Sequence, residues 1–371
     1  MRLTDLPTPC LVLDRVLLRR NLDTMARAVG RLGVALRPHM KTAKSVDVAR
    51  LALSSPDVRS GGITVSTLAE AEYFSAHGIT DILYAVGITP QKLDQVAKLN
   101  EAGAAVIVVT DDLDAAHAIA AHPRAPRVLI EVDCGEGRSG IGFDSDSLLA
   151  IAATLGNRVA GVMTHAGHSY AGRSLADMRA IAETERLAAV RAAARLRAAN
   201  HACPIVSVGS SPTALHAQSL EGVTETRPGV YMFGDLFQAE IGTVSHADIA
   251  VTVLTSVIGR RGSEGRVVVD AGAMALSKDR STQSTPNDWG FGHVRSLDGT
   301  ASLGRSIIER ANQEHGIVAF DPAQPIPNLR VGDRLRIAPN HVCMTSAQHD
   351  RYFVVDGDDK VVGVWSRING W

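Results

Sequence analysis

Two short segments of this chain carry residue types that do chemistry. In Arg37-Pro38-His39-Met40-Lys41-Thr42, a lysine follows a histidine at the end of a short apolar run. Burial disfavours the charged form of a lysine, and its free amine is then a nucleophile and a base. The plainer reading of Lys41 is an exposed loop residue. Lys44 is the rival candidate, but it falls where a helix is expected, which would turn its side chain away. Near the other end, Pro339-Asn340-His341-Val342-Cys343 sets an imidazole and a thiol two positions apart. On a strand, residues i and i+2 share a face, so both side chains could reach one ion. Thiolate with imidazole suits zinc. A structural zinc site wants four protein ligands, so this pair would leave positions open for water or substrate. Its plainer reading is a buried cysteine beside an incidental histidine.

Other chemical residues cluster after short apolar runs. Arg138 lies in Gly135-Glu136-Gly137-Arg138-Ser139-Gly140, as a fixed donor to an oxyanion or as a surface charge. His165 and Tyr170 lie in Thr164-His165-Ala166-Gly167-His168-Ser169-Tyr170. His165 is either a flat face for a heteroaromatic ring or a core histidine. Gly209-Ser210-Ser211 and Arg227-Pro228-Gly229-Val230-Tyr231 offer glycines that let the backbone approach an anion, or that simply make turns. Gln313-Glu314-His315 is open between supporting a metal and forming an ordinary turn.

Those segments need elements to position them. Eight β-branched runs recur between residues 34 and 230: Val34 to Met40, Ile63 to Thr67, Ile82 to Ala85, Val106 to Val109, Val128 to Val132, Val159 to Thr164, Ile205 to Val208 and Glu225 to Val230. Stretches such as Leu68 to Ala76, Gln91 to Ala102 and Leu175 to Ala199 separate them and read as helices. Eight strand–helix units imply a closed parallel (β/α)8 TIM barrel of the α/β class. The rival is an open dinucleotide-binding sheet, which needs a glycine-rich turn after its first strand. The segment RPHMKTAKS has no glycine, which favours the barrel. In a barrel the working residues sit at the C-terminal strand ends, where the segments above fall.

After residue 247 the texture changes to short alternating runs, IAVTVLTSVIG, GRVVVDAG, DRLRIAP, RYFVVDG and KVVGVWSRI. These read as an antiparallel β domain. The expected division is 15–247 for the barrel and 248–371 plus 1–14 for the β domain, with CLVLD a candidate partner of the second sheet. The 371 residues suit a barrel plus a second domain. Apolar residues at 45%, charged residues at 21% and a net charge of −1 argue against nucleic acid or an anionic membrane as partner. No run is long enough to span a bilayer, and the start of the chain lacks the pattern of a secretory signal. Cys10, Cys134, Cys203 and Cys343 lie far apart, which fits free thiols in a cytoplasmic protein.

The segments quoted above, with Asn312-Gln313-Glu314-His315-Gly316, resemble the fold-type III pyridoxal-phosphate enzymes built on the alanine racemase barrel. Within that group the match is to the D-serine dehydratase and D-threonine aldolase branch, and it covers essentially the whole chain. The resemblance implies that Lys41 carries pyridoxal 5'-phosphate and that His165 lies against its ring. It implies that Arg138 approaches the phenolic oxygen and that Gly209, Ser210, Gly229 and Val230 hold the phosphate. Tyr231 is expected to bind the cofactor, Tyr170 is expected to touch the cofactor and to border the substrate as a catalytic residue, and Arg227 matches the arginine that racemases place at the ring nitrogen. His341 and Cys343 would bind a divalent metal, zinc first, with manganese or cobalt as alternatives. A homodimer is also implied.

The expected reaction is elimination of the β-hydroxyl from D-serine, D-threonine or D-3-hydroxyaspartate, giving a 2-oxo acid and ammonia. The His-x-Cys form resembles the dehydratases, including those for D-threo-3-hydroxyaspartate. Ala347-Gln348-His349-Asp350 resembles the aldolase side and keeps cleavage to glycine and an aldehyde open. A cofactor carrier would lack the second domain and the metal pair. A racemase needs a second base, and Tyr352 is the sole tyrosine beyond residue 247.

Overall fold

A computed structural model describes residues 1–261, 266–325 and 327–371. Its contacts divide the chain into two units, Asp23–Gly229 with Ile368–Trp371, and Met1–Leu22 with Val230–Arg367.

The first unit is built on eight parallel strands. Counting Cys10–Asp14 as β1, they are β2 (Ala35–Leu36), β3 (Ile63–Val65), β4 (Asp81–Gly87), β5 (Ala105–Thr110), β6 (Arg127–Glu131), β7 (Val159–Met163), β8 (Ile205–Val208) and β9 (Glu225–Thr226). All eight expected runs form strands. They lie in the order β2-β9-β8-β7-β6-β5-β4-β3, and bridges from Leu36 to Ser60 and from His39 to Thr64 close the ring. The first run is shorter than expected because Pro38 has no N–H to give a ladder. Helices follow the strands. Thr67 caps Leu68–Ala76 by accepting from the Glu70 N–H, and Ser174 caps Leu175–Ala198 by accepting from that of Asp177. A methyl group on Gly161 would lie 1.8 Å from the Ile205 carbonyl oxygen, so β7 and β8 pass where no side chain fits.

Lys44 departs from expectation. The helix starts at Val46, and Lys44 precedes it with φ +47°, its ammonium 2.8 Å from the buried Glu70 carboxylate. That ion pair, rather than helical geometry, commits its side chain.

The second unit contains β1 and eight further strands: β10 (Val251–Arg261), β11 (Arg266–Val269), β12 (His293–Arg295), β13 (Ile307–Ala311), β14 (Gly316–Ala319), β15 (Arg334–Ala338), β16 (Arg351–Val355) and β17 (Gly363–Ser366). Their order is β11-β14-β13-β12-β15-β10-β1-β16-β17, and β10 also pairs with β11, so six of them close on themselves. The CLVLD run does join this sheet, antiparallel to β10 and parallel to β16. That parallel pair is a departure from a purely antiparallel domain. Strands β12, β13 and β14 were not among the expected runs. They are three to five residues long, and the first two mix charge into the apolar pattern. Gly265, the first residue of GRVVVDAG, lies outside the described residues. Among the described residues no helix is long and apolar enough to cross a membrane. None of the four cysteines is in a disulfide, and Cys10, Cys134 and Cys203 are buried.

Candidate active site

Each barrel strand contributes to one cavity of about 320 Å³ at its C-terminal end. Lys41 reaches it from the turn after β2, where its backbone N–H meets His39 Nδ1 at 3.4 Å. His165 reaches it from the loop after β7. The Nδ1 of His165 lies 2.8 Å from the Gly209 carbonyl oxygen, so Nδ1 carries the proton and Nε2 is left as an acceptor. Burial is the largest cause that holds His165 down to about 3, and the charge of Lys41 adds to it. His39, on the same wall, is also held well below the usual histidine range, by burial and then by Lys41 and Arg227. Two neutral imidazoles therefore stand beside one amine.

The guanidinium of Arg227 is buried and fixed from below. It donates to the Ser207 hydroxyl at 2.6 Å and to the Thr164 carbonyl. Ser207 donates in turn to Glu225 at 2.6 Å, which accepts from Arg37 at 2.9 Å, and Arg37 reaches Asp81 at 2.8 Å. This chain of contacts crosses the unit and settles where Arg227 points. Arg138 also lines the cavity, with an exposed side chain 3.5 Å from Glu136. Asp111 and Glu131 are acidic wall residues that sequence reasoning did not single out. Burial pushes the Glu131 carboxyl up, although Ser139 donates to it at 2.9 Å.

Two glycines are shaped by close approach. Gly209 has φ +139°, and a methyl group there would lie 2.6 Å from the Arg227 backbone nitrogen. One on Gly229 would lie 2.8 Å from the His39 carbonyl oxygen. Ser210 is buried, with its hydroxyl 2.8 Å from that of Ser169, and it caps the short helix Ser211–His216. Beneath these loops lies the buried carboxylate of Glu185. It accepts from the Gly209 N–H at 2.9 Å, the Ala166 N–H at 3.1 Å and the Thr213 hydroxyl at 2.8 Å. Of the remaining candidates, Tyr170 sits half-buried on the turn Gly167–Ala171, apart from the cavity wall. Val230 and Tyr231 are buried in a turn that belongs to the second unit.

In that second unit His341 and Cys343 do meet, but not on a strand. His341 is extended at φ −134° and caps the helix Val342–Ser346, which contains Cys343. The chain turns between them, and this corrects the shared-face argument. Asp279 holds His341 Nδ1 at 2.8 Å, leaving the other ring nitrogen for an ion. Burial works against the imidazolium, but the contacts with Asp279 and Cys343 outweigh it and lift His341 to about 11. Asp235 is buried nearby, accepting from the Val342 N–H at 2.9 Å. Among the described residues no group of three or more histidine, cysteine or acidic side chains gathers as a metal cage. His341 and Cys343 are a two-donor set with a carboxylate behind the imidazole. Gln313, Glu314 and His315 form the exposed turn of the β13–β14 hairpin, whose Asn312 and Gln313 carbonyls accept from Ala273 and Met274. Tyr352 is fully buried and accepts from Arg367 Nε at 2.9 Å, which leaves it poorly placed as a second base.

Asp279 and Asp235 escaped sequence reasoning because they lie far from His341 along the chain. His39 was inside a quoted segment but had been given no role.

The residues fit both groups that the family resemblance implies. The cavity joins an amine, neutral ring faces and a backbone cleared of side chains at Gly209. The metal pair joins soft and borderline donors with an oriented imidazole.

Comparison with known proteins defines the class. The alanine racemase N-terminal domain model matches residues 13–236, and the putative serine dehydratase domain model matches residues 250–355. The chain belongs to the alanine racemase N-terminal domain family, in the branch that carries the serine dehydratase domain. It is 45% identical to D-threo-3-hydroxyaspartate dehydratase of Delftia sp. strain HT23, over 100% of this chain and 99% of that one. The solved structure of the Delftia protein superposes with a TM-score of 0.95 at 44% identity, covering 100% of both chains. A cysteine-to-alanine variant of a D-threo-3-hydroxyaspartate dehydratase, 44% identical to this chain, has been solved in a metal-free form. D-serine dehydratase of Dictyostelium discoideum is 29% identical over 100% of this chain and 98% of its own. The 3-hydroxy-D-aspartate aldolase of Paracoccus denitrificans is 29% identical over 98% of this chain and 92% of its own.

Proposed function

We propose that this protein is a pyridoxal-phosphate- and metal-dependent lyase that eliminates the β-hydroxyl of a small D-amino acid, giving a 2-oxo acid and ammonia. D-threo-3-hydroxyaspartate is the first substrate to test, with D-serine and D-threonine next. The observation that carries this reading is the Lys41 amine on a barrel cavity beside two imidazoles held neutral. Similarity to the Delftia dehydratase along both whole chains supports the same reading.

Lys41 would hold pyridoxal 5'-phosphate, with His165 against the ring, Arg138 toward its phenolic oxygen and Gly209 and Ser210 toward its phosphate. The cofactor, when bound, supplies a sink for the electrons left when the α-proton departs. Lys41 Nζ would be the base that takes that proton. His165 and His39 add no positive charge beside the ammonium so formed, and Arg227 is too firmly held to move. His341 and Cys343 would hold a divalent ion, with Asp279 fixing the imidazole. That ion, when bound, supplies a Lewis acid for the departing hydroxyl. The metal-free form of a cysteine variant of a D-threo-3-hydroxyaspartate dehydratase supports a metal-binding role for Cys343, and the thiol–imidazole donor set supports zinc. A homodimer, which rests on the family resemblance, and a cytoplasmic location, which rests on the widely spaced cysteines, complete this reading.

Aldol cleavage is the second reading, favoured by the Paracoccus relative. Borohydride trapping with peptide mapping tests the cofactor lysine, and the label is expected on Lys41. A panel of D-3-hydroxyaspartate, D-serine and D-threonine, with and without chelator, then separates the reactions. Ammonia with a 2-oxo acid is expected; glycine without ammonia replaces elimination by cleavage.

A further inference from the structure

A second cavity, of about 440 Å³, lies within the β unit and shares no residue with the barrel cavity or the His341–Cys343 pair. Its notable feature is two buried arginines side by side. Arg295 on β12 and Arg336 on β15 are direct cross-strand partners, and both are more than nine-tenths buried. Like charges set opposite each other on neighbouring strands repel.

Burial pushes Arg336 down while Asp14 and Asp298 pull it up, but Arg295 feels only burial and the charge of Arg336. Arg295 donates one hydrogen bond to the His246 carbonyl at 2.9 Å, while its buried Nε has no partner. Arg336 donates through Nε to the Thr252 hydroxyl at 2.8 Å. Both acids lie on the cavity wall but accept their hydrogen bonds from other groups. Asp14 accepts from the Val16 and Leu17 N–H groups at 2.9 and 3.2 Å. Asp298 accepts from Ser296 Oγ at 2.6 Å and from the N–H and hydroxyl of Thr300 at 2.9 Å each. Among the described residues neither arginine makes an ion pair within 4.0 Å. Burial and mutual repulsion lower Arg295 to about 10, a direction that an anion would reverse. The turn presses close, since a methyl group on Gly299 would lie 2.7 Å from Arg336 Nη1.

We infer that this cavity binds a small organic oxyanion, its carboxylate or phosphate received by Arg295 and Arg336 and its carbon body by Leu17, Ile249 and Ala301. Planar guanidinium groups suit either oxyanion. A buried Arg295 with an unpartnered Nε beside a second arginine is costly, and a bound anion lowers that cost.

The test is titration of the holoenzyme with inorganic phosphate and, separately, succinate, at ionic strength held with sodium chloride. Binding is followed by tryptophan fluorescence and by thermal melting. Trp289 reports on the cavity because its ring packs 5.1 Å from that of His246, a wall residue. A saturable response to at least one probe is expected, and the probe that acts tells phosphate from carboxylate. Arg295→Met and Arg336→Met should each weaken it about tenfold or more, as for loss of a charge-assisted contact. If a methionine variant does not fold, Arg295→Lys keeps the charge without the fork and should still weaken the response. No saturable response to either probe, or an unchanged midpoint in the variants that fold, overturns the inference.

Discussion

Asp279 and Glu185 show how much of each centre rests on residues outside the recognisable segments. Asp279 fixes one nitrogen of His341 and so decides which face the ring offers to an ion. Asp279→Asn keeps an acceptor for the Ser281 N–H but weakens the hold on the ring. Metal affinity is expected to fall about 10- to 100-fold, as when such carboxylate partners of ligating histidines are removed. Competition against a metallochromic chelator measures this; an unchanged affinity would separate Asp279 from the metal. Glu185 collects donors from the loops that carry His165 and Gly209. Glu185→Gln would turn an N–H₂ group toward at least one of them. The expected cost is about 1–3 kcal/mol of stability, with looser cofactor binding, read from urea midpoints and from cofactor titration by absorbance.

At the scale of elements, the strands set the approach distances on which the cavity depends. Gly161→Ala puts a methyl group against the Ile205 carbonyl, where backbone has to shift rather than a flexible side chain. The β7 and β8 strands would be pushed apart, and with them the loops of His165 and Gly209. A loss of about 3 kcal/mol or more is expected from overpacking at a strained backbone position. The control is Gly33→Ala, where a methyl group meets nothing within 4 Å but φ is +74°, so the cost there is conformational alone. Equal destabilisation in the two variants would show that close strand packing is not what requires Gly161.

Over the whole molecule, buried neutral histidines tie stability to pH. His165 is held to about 3 and His293 to about 4, chiefly by burial, against an unfolded value near 6.5. Their contribution is complete above pH 6.5 and is lost as the pH falls, because the unfolded chain takes up protons that the folded one refuses. His293 donates from Nε2 to the Gly304 carbonyl at 2.8 Å, a bond that His293→Gln can imitate. The loss of stability between pH 7 and pH 5 should therefore be smaller in His293→Gln than in the parent, by urea unfolding at each pH. An identical slope would mean that His293 titrates normally.

The barrel was legible along the chain because it is a local pattern repeated. Eight β-branched runs alternated with helical stretches, and the chemical segments fell at the strand ends by the rule of the fold. Lys41, His165, Arg138, Gly209 and Arg227 accordingly line one cavity. Strands β12 to β14 were not legible, being short and charged, with their pairing supplied by distant partners. Long-range contacts have no trace in local order either. Asp279 reaches His341 across 62 positions, and Arg295 meets Arg336 because β12 and β15 pair. The His341–Cys343 spacing was visible, but the helix cap that joins the two side chains was not, since residues two apart meet on a strand or at a helix start by different geometry. Residue types and local periodicity thus determined the class of fold and the reactive groups. Tertiary structure alone decided which acids orient them, which histidines stay neutral and where buried charge is left uncompensated, because burial and through-space distance are properties of the packed chain.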